Sequence, residues 1–433
     1  MNIVHLTPGA GGMYCGNCFR DNALVAALCR AGHDACLLPL YLPPLLDEPD
    51  QSGNQPIFYG GIGVYLQQII PWTRFMPRWV HRLLASRNIL DKIGDRAAKT
   101  QPAEVGALTV SMLAGENGRQ RRELDELCRW LKREQKPEIV CFSDALLLGM
   151  HRKVKAETGA KTVCILSGED GFLDEIKEPF RTECWNLVRE RIAEVDLLIA
   201  PSRFFADYMA ARLQLPPTRI HVLYNGINLD GYDVSTAPNR LSRYSGEQAL
   251  GFFARLSRAK GFDLVVDAFI LLRKRSTLPN LKLKIGGGCT RWNEPLLEEL
   301  RAKLDAAGFS ADVSLHPNPS RSEKIALLQS MSVCVIPARG NTPSALTVLE
   351  AWAAGVPVVA PNNAVFPELL EHGGGLLHEQ ENAESLADAV ETLLLDESRR
   401  QTAAQSGLAA VRERFNADVM ATEFVRLLHE QGL

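Results

Sequence analysis

Short apolar segments alternate with amphipathic helical segments along most of the chain, and this alternation constrains the fold more than any other feature. The apolar segments have the length of buried strands, and the segments between them have helical periodicity. Strands that alternate with helices form parallel sheets with helices on both faces, so the sequence predicts an α/β protein. The predicted strands cover residues 2–6, 33–40, 139–142, 162–166, 195–200, 220–223, 249–253, 281–285, 313–315, 333–336 and 357–360.

The chain has 433 residues, which is too long for one hydrophobic core. The alternation stops in a polar stretch, residues 230–246, and restarts at the strand 249–253. We therefore predict two Rossmann-like, doubly wound domains, residues 1–229 and 247–415, joined by the linker 230–246. Residues 416–433 form a last amphipathic helix. Two such domains are expected to face a central cleft at the carboxyl ends of their strands.

Composition argues against several classes of function. The formal net charge of −3 provides no positive field for nucleic acid, so no nucleic-acid partner is predicted. No apolar run approaches the roughly 20 residues of a membrane span, and the N-terminal MNIVHLT has the pattern of a strand rather than a signal peptide. The ten cysteines lie mostly inside apolar segments, as reduced thiols of cytosolic proteins do, so a cytoplasmic location is expected.

Residues 42–118 interrupt the alternation and are predicted to be irregular, lining the cleft on the acceptor side. This region contains a basic, tryptophan-bearing helical stretch at residues 72–93. Its arginines are Arg74, Arg78, Arg82 and Arg87. Two interpretations stay open for them: a solvated helix face and a peripheral contact with a membrane.

The segment from Pro337 to Pro361 is the strongest candidate for a ligand site. A loop of small and polar residues precedes a helix with an apolar face, and Gly355 ends that helix before a new strand begins. The free N–H groups at such a helix start can bind an anion. Glu350, inside the helix, can accept hydrogen bonds from hydroxyl groups such as those of a ribose. The alternative is an ordinary helix–strand unit with an exposed glutamate.

Two further patterns of the second domain follow predicted strands. Arg255 and Lys260 come between a strand and a helix start, a placement that suits a diphosphate, although Arg258 makes a solvated loop an alternative. The run Gly286-Gly287-Gly288 permits close approach of backbone to a ligand, or forms a flexible turn.

In the first domain, Ser167-Gly168-Glu169-Asp170 ends a strand. Its carboxylates are candidate acid–base groups, or they cap the next helix. Residues 7–16 form a glycine-rich first turn, the usual place for phosphate in a doubly wound fold, but without the GxGxxG spacing. A helix then begins with Cys15-Gly16-Asn17-Cys18. These cysteines are either a redox pair or structural thiols, and a single CxxC is weak evidence for a zinc site.

Taken in this order, the segments resemble the retaining glycosyltransferases of family 4, which have the GT-B fold. Three motifs carry the resemblance most strongly: ARLSRAKGFDLVVDAF, LKIGGG and TPSALTVLEAWAAGVPVVAP, all within residues 248–415. Looser matches in the first half are the Gly11-Gly12 loop, Ala31-Gly32-His33, Pro201-Ser202 and NGIN.

The resemblance implies that the second domain holds a nucleotide-diphosphate sugar of the UDP or GDP type. Arg255 and Lys260 would bind the diphosphate, Glu350 the ribose hydroxyls, and the backbone of Ala345 and Leu346 the phosphates. Gly287 would lie in the family's glycine turn, and Gly11 and Gly12 would let their loop close onto the distal phosphate. The resemblance also implies that no metal or cofactor is needed, because these cations and amides stabilise the leaving diphosphate. The final helix would cross back to the first domain.

Two positions depart from the family pattern. Thr342 stands where the family carries the first glutamate of its acidic motif, next to the transferred sugar. Ser167 stands where many members carry a histidine, with Glu169 and Asp170 nearby to take over part of its role.

We therefore expect a retaining glycosyltransferase of glycan, polysaccharide or glycolipid synthesis, with a carbohydrate, lipid or small-molecule acceptor. The alternative is a catalytically impaired nucleotide-sugar-binding protein of the same fold. A third interpretation, sugar-phosphate synthesis or epimerisation, is less favoured because a strong acid–base pair is missing. The motifs do not specify the donor base, the sugar, the acceptor or the oligomeric state.

Overall fold

A computed structural model describes residues 1–9, 15–53, 55–59, 105–232 and 248–433. The chain divides into two compact units: Met1–Tyr224 together with Met420–Leu433, and Asn225–Val419. Each unit contains one six-stranded sheet in which every strand pair is parallel. The predicted α/β class with two doubly wound parallel sheets is confirmed. Most of the predicted linker, residues 233–246, lies outside the described residues.

The first unit has the strand order β2-β1-β3-β4-β5-β6. Its strands are β1 (Asn2–Thr7), β2 (Asp34–Pro39), β3 (Ile139–Phe142), β4 (Lys161–Ile165), β5 (Leu197–Ala200) and β6 (Ile220–Val222). Its helices are α1 (Gly16–Arg30), α2 (Gly106–Leu113), α3 (Arg121–Trp130), α4 (His151–Thr158), α5 (Glu169–Glu175), α6 (Phe180–Ile192) and α7 (Arg203–Leu213).

The second unit has the strand order β12-β11-β10-β7-β8-β9. Its strands are β7 (Ala249–Phe253), β8 (Lys282–Gly287), β9 (Val313–Pro317), β10 (Val333–Val335), β11 (Val358–Pro361) and β12 (Gly375–His378). The helices are α8 (Phe262–Lys274), α9 (Glu294–Ala307), α10 (Arg321–Gln329), α11 (Leu346–Ala353), α12 (Phe366–Leu370), α13 (Ala383–Leu395) and α14 (Glu397–Glu413). A last helix, α15 (Ala417–Glu430), belongs to the first unit from Met420 onward.

Continuous apolar sequence explains the central strands. Every residue of β3, β5, β7 and β10 is buried. Successive side chains of a strand point to opposite faces, so burial of every residue means that helices cover both faces of each sheet. This two-sided cover leaves the loops at the carboxyl ends of the strands as the natural place for a ligand.

Two sequence predictions need correction. Residues 42–118 are not irregular throughout, because α2, with the apolar sequence GALTVSML, lies within them. The edge strand β12 was not predicted, since it follows the turn-like run Gly373-Gly374-Gly375 and is only partly buried. The basic stretch 72–93 lies outside the described residues. Among the helices that the structure describes, none is both long and apolar enough to cross a membrane.

Candidate functional site

Three loops of the second unit lie at one edge of its sheet. Residues 254–261 follow β7, residues 286–288 cover the end of β8 and the residue after it, and residues 336–346 lead from β10 into α11. β7 pairs directly with β8 on one side and with β10 on the other. Because all three strands are parallel, their carboxyl ends meet at the same edge, which we call the cation edge.

Backbone contacts join these loops into one wall. The N–H of Leu256 donates to the carbonyl oxygen of Gly288 at 3.0 Å, and the N–H of Arg339 donates to that of Ala259 at 2.9 Å. Gly261 has φ +74°, and a Cβ added there would lie 2.0 Å from the carbonyl oxygen of Pro337. No other residue fits that approach, so glycine is needed where the first loop packs on the third.

Within the part of the chain that the structure describes, Arg255 and Lys260 are the two cations of the cation edge that have no carboxylate partner. Arg255 is exposed and Lys260 is partly buried, and neither side chain contacts a carboxylate among the described residues. Burial, and then the charge of Arg255, lower the pKa of Lys260. Arg258, between them in sequence, is instead bound to Asp263 at 3.1 Å and to Glu299 at 2.6 Å. The structure thus distinguishes Arg255 and Lys260, the candidate ligand-binding cations, from Arg258, which is bound to carboxylates.

The glycine turn brings backbone close to this pair of cations. Gly287 has φ +125°, and a Cβ there would lie 2.0 Å from the carbonyl oxygen of Ala254, the residue before Arg255. A side chain at this position would push apart the loops that follow β7 and β8. Gly287 therefore serves close packing of the edge, which keeps its backbone within reach of whatever the cations bind.

The start of α11 supplies N–H groups at the same edge. Ala345 is the N-cap residue and offers no side-chain acceptor, so no cap hydrogen bond forms. The first N–H groups of an α-helix have no partner inside the helix, and the helix dipole makes this end partly positive. Thr342, three residues earlier, is buried, and its N–H donates to the carbonyl oxygen of Gly340 at 3.1 Å.

Glu350 lies just beyond the first turn of α11 and is fixed by an ion pair. The Nζ atom of Lys324, on α10, lies 2.6 Å from Oε1 of Glu350. The side chain of Lys324 is 4% exposed and that of Glu350 is 16% exposed. A carboxylate has about four acceptor positions, so this pair leaves capacity for hydroxyl donors while holding the group in one orientation. Sequence reasoning missed Lys324, whose position 26 residues away gives no local signal.

The corresponding edge of the first unit carries a buried polar cluster. Asp21 accepts hydrogen bonds from Thr7 Oγ1 at 2.8 Å, from Ser143 Oγ at 2.5 Å and from Arg20 Nε at 2.9 Å. Arg20 extends to Ser167, whose hydroxyl lies 2.6 Å from its Nη1. Burial alone would raise the pKa of Asp21, but the charges of Arg20 and His5 hold it well below its usual range. The cluster joins the carboxyl ends of β1, β3 and β4 through α1.

Two buried carboxyl groups lie beside that cluster. Glu169 is the first residue of α5, and its Oε2 accepts the N–H of Ser167 at 2.6 Å. Its Oε1 is buried and has no hydrogen-bond partner among the described residues. Burial, and then the charge of Asp144, raise the pKa of Glu169 to about 7. Burial raises the pKa of Asp144 itself to about 6. Glu169 can therefore hold or accept a proton near neutral pH, as an acid–base group must.

The structure places the predicted site residues in two groups. Seven of them lie at or beside the cation edge: Arg255, Lys260, Gly287, Thr342, Ala345, Leu346 and Glu350. Glu169 lies in the first unit, and Gly11 and Gly12 lie outside the described residues. Sequence reasoning missed Arg20 and Asp144. Asp144 could have been found, because it follows a buried strand as Glu169 does, whereas Arg20 resembles any other helix charge.

Among the described residues, no group of three or more His, Cys, Asp or Glu side chains is arranged to hold a metal ion. The Cys15–Cys18 pair therefore has no third ligand of this kind among the described residues.

Comparison with known protein families gives two matches that together cover most of the chain. The profile of "Glycosyl transferases group 1" matches residues 233–408, and that of "Glycosyltransferase Family 4" matches residues 95–230. The first match contains every described residue of the cation edge, and the second contains Asp144 and Glu169.

Individual relatives are more distant. The chain is 26% identical over 207 residues, 47% of its length, to a D-inositol 3-phosphate glycosyltransferase of Mycobacterium sp. (strain JLS). It spans 46% of that relative's own length. It is 28% identical over 239 residues to a GDP-mannose-dependent phosphatidylinositol monomannoside mannosyltransferase of Mycobacterium tuberculosis, covering 52% of this chain and 60% of the relative.

Among solved structures, Anabaena HepE in complex with UDP is similar in fold. The TM-score is 0.65 and the sequence identity is 16%, with 99% of this chain and 100% of that chain covered. Identity this low supports the shared fold alone.

Proposed function

Because the chain belongs to the glycosyl transferases of group 1, we propose that it is a retaining glycosyltransferase that uses a nucleotide-diphosphate sugar of the UDP or GDP type. The cation edge carries the proposal. Arg255 and Lys260 have no carboxylate partner among the described residues, whereas the neighbouring Arg258 has two. Two uncommitted cations beside an uncapped helix start fit a diphosphate group.

The donor would be bound in the second unit. Arg255 and Lys260 would contact the diphosphate together with the N–H groups at Ala345 and Leu346. Glu350, oriented by Lys324, would accept hydrogen bonds from the ribose hydroxyls, and the Gly287 turn would let backbone approach the nucleotide. In the same proposal, Thr342 lies beside the transferred sugar, whereas Gly11 and Gly12, which the resemblance assigns to the distal phosphate, lie outside the described residues.

Catalysis would depend on charge stabilisation of the leaving group. Negative charge grows on the departing diphosphate oxygen as the bond to the sugar breaks, and preorganised cations and amides lower the barrier to that step. Arg255 and Lys260 provide such cations, so we propose that no metal or other cofactor is required. Glu169, buried and with one unpartnered oxygen, would accept or orient the proton of the acceptor hydroxyl.

The acceptor would be a hydroxyl of a carbohydrate, a lipid or a small molecule. The names of the two mycobacterial relatives both refer to inositol compounds. Inositol phosphates and inositol lipids are therefore the first acceptors to test.

Nucleotide binding tests the donor proposal directly. Calorimetry with UDP, GDP and their sugars should show at least a hundredfold weaker binding for the double variant Arg255→Ala/Lys260→Ala. Each lost charge-assisted hydrogen bond contributes about 1.5–3 kcal/mol, and about 1.4 kcal/mol corresponds to tenfold. The control is Arg258→Ala, which removes one positive charge from the same loop and should change binding less than about threefold. Unchanged binding in the double variant would refute the donor site.

The stereochemical proposal needs a separate measurement. The anomeric configuration of the newly transferred sugar, read by proton NMR of the glycoside product, should equal that of the donor. An inverted product would show that the chain does not follow the retaining course of the family that it resembles.

Thr342 favours a second candidate function. It is a buried neutral residue at the position where the resemblance places a glutamate next to the sugar. On that basis the chain would be a nucleotide-sugar-binding protein with impaired transfer. It would then bind a nucleotide sugar as predicted above, yet release no sugar to water or to any acceptor, and Thr342→Glu would be the variant in which transfer is sought.

A further inference from the structure

Two cysteines begin α1, and the proposed transfer reaction does not use them. Cys15 is the N-cap residue, with extended backbone (φ −122°, ψ 109°), and Cys18 is the third residue of the helix. The side chain of an N-cap residue points toward the third helical position, which is why N-cap side chains bond there. The two thiols lie close enough to interact, because the side chain of Cys18 lowers the pKa of Cys15.

The spacing suits a disulfide. An N-cap side chain lies beside the third helical position, so rotation of both side chains about their Cα–Cβ bonds brings the two sulfur atoms toward the separation of about 2 Å of a disulfide bond. Cys15 is the more exposed of the two residues, whereas Cys18 is fully buried. One accessible and one sheltered thiol are the arrangement in which the first attacks an external disulfide and the second resolves the product.

The other cysteines differ in environment. Cys141, Cys164 and Cys334 lie inside strands, and burial raises the pKa of each thiol. By contrast, the hydrogen bond from Cys18 lowers the pKa of Cys15, although burial opposes it. A thiolate is the reactive form, so Cys15 is prepared to react where the strand cysteines are not.

Contacts on the inner side hold Cys18 in place. Its sulfur is hydrogen-bonded to the hydroxyl of Thr7, the last residue of β1. That hydroxyl in turn donates to Asp21, at the centre of the buried polar cluster. Cys18 thus has a fixed position beside Cys15, which lowers the entropy cost of closing the bond.

We propose that Cys15 and Cys18 are a redox-active dithiol, which a low-molecular-weight disulfide converts reversibly into an intramolecular disulfide. The thiolate of Cys15 attacks one sulfur of the external disulfide, forms a mixed disulfide and releases the first external thiolate. Cys18 gives its proton to that thiolate, which leaves as a thiol, and the sulfur of Cys18 attacks the sulfur of Cys15, which releases the second external thiolate to take a proton from water. The protein dithiol is oxidised by two electrons, and the external disulfide is reduced to two thiols.

A second cysteine pair provides the contrast for the test. Cys29 and Cys36 lie near each other at the other end of α1, but burial raises the pKa of Cys36 to about 12. Because this pair could also oxidise at the surface, the experiment uses the full-length protein with Cys29→Ser and Cys36→Ser. The remaining cysteines outside the CxxC are then Cys128, Cys141, Cys164, Cys184, Cys289 and Cys334.

The experiment equilibrates this protein in mixtures of reduced and oxidised glutathione, alkylates the remaining thiols and maps the peptides by mass spectrometry. We expect the peptide containing Cys15 and Cys18 to lose both alkyl groups as the oxidised fraction rises, and to regain both after dithiothreitol. With Cys18→Ala added, Cys15 should retain one glutathione as a trapped mixed disulfide. Alkylation of both thiols at every glutathione ratio would overturn the proposal, and that result needs no substitution at either cysteine. The measurement uses neither donor nor acceptor, so it is independent of the proposed transferase activity.

Discussion

The corresponding edges of the two sheets differ in how their charges are used. At the first edge, Arg20 and Asp21 are buried and bound to each other and to Thr7, Ser143 and Ser167. At the cation edge, Arg255 and Lys260 have no carboxylate partner among the described residues. Charges that satisfy each other stabilise a fold, whereas charges without a partner are available to a ligand. The same strand–helix architecture therefore serves cohesion at one edge and, in the proposed function, donor binding at the other.

The largest expected effect comes from a substitution that disrupts the buried polar cluster at the first edge. Arg20→Met should lower the free energy of unfolding by about 3–5 kcal/mol, because it leaves the buried carboxylate of Asp21 without its guanidinium partner and with His5 alone beside it. Urea denaturation measures this change in the free energy of unfolding. Arg255→Ala is the matched change at the cation edge and should alter stability by less than about 0.5 kcal/mol. Equal losses in the two variants would remove the distinction between the edges.

The second prediction concerns the one buried ion pair described beside the cation edge. Lys324→Met should lower the free energy of unfolding by about 3 kcal/mol, since Glu350 keeps a partly buried charge without its partner. The double variant Lys324→Met/Glu350→Gln should recover much of that stability but not nucleotide affinity. Lys303→Met, which removes an exposed pair with Asp267, serves as the control and should cost less than about 1 kcal/mol. Full nucleotide affinity in the double variant would show that Glu350 does not contact the nucleotide.

A glycine substitution tests the close packing of the cation edge. In Gly287→Ala, the alanine would have to adopt a φ of +125°, and its Cβ would lie 2.0 Å from the carbonyl oxygen of Ala254. We therefore expect the free energy of unfolding to fall by about 3 kcal/mol. Gly308→Ala has a φ of +77° but no atom within 4 Å of its added Cβ, and should cost only about 1 kcal/mol. Thermal unfolding of the two variants compares steric conflict with backbone strain alone. Similar midpoints would mean that the loops after β7 and β8 adjust freely.

The smallest effect is a pH dependence at the first edge. The pKa of Glu169 is raised from 4.5 to about 7, so the folded state binds this proton more tightly than the unfolded state does. The free energy of unfolding should therefore fall as pH rises through that range, and Asp144 contributes in the same direction. Between pH 5 and 8, Glu169→Gln should remove about 2 kcal/mol of that fall. Glu298→Gln, an exposed change in the second unit, should leave the profile unchanged; an unaltered profile in Glu169→Gln would contradict the assignment.

Much of the fold was predictable because its signals are local. The strand Ala249–Phe253 was predicted to the residue, and the start of α8 at Phe262 as well. Apolar run length and helical periodicity need only the neighbouring residues to be read. β12 and α2 were missed where those signals were weak or where a turn-rich context concealed them.

The candidate site was likewise predictable only in part. The sequence pointed to Arg255, Lys260 and Glu350 through their positions after strands and inside a helix. It could not distinguish Arg255 from Arg258, because the difference lies in Glu299 on α9, 41 residues from Arg258. The structure resolved that ambiguity by showing which cation already has partners.

The sequence by itself determined the α/β class, the two doubly wound sheets and the positions of the candidate residues along the chain. Only the tertiary structure decided which charges are committed: Lys324 to Glu350, Arg20 to Asp21, and Arg258 to Asp263 and Glu299. The physical reason is the distance along the chain over which each property is determined. Secondary structure follows from periodicity over a few residues, whereas burial and ion pairing depend on side chains that packing brings together from distant parts of the chain.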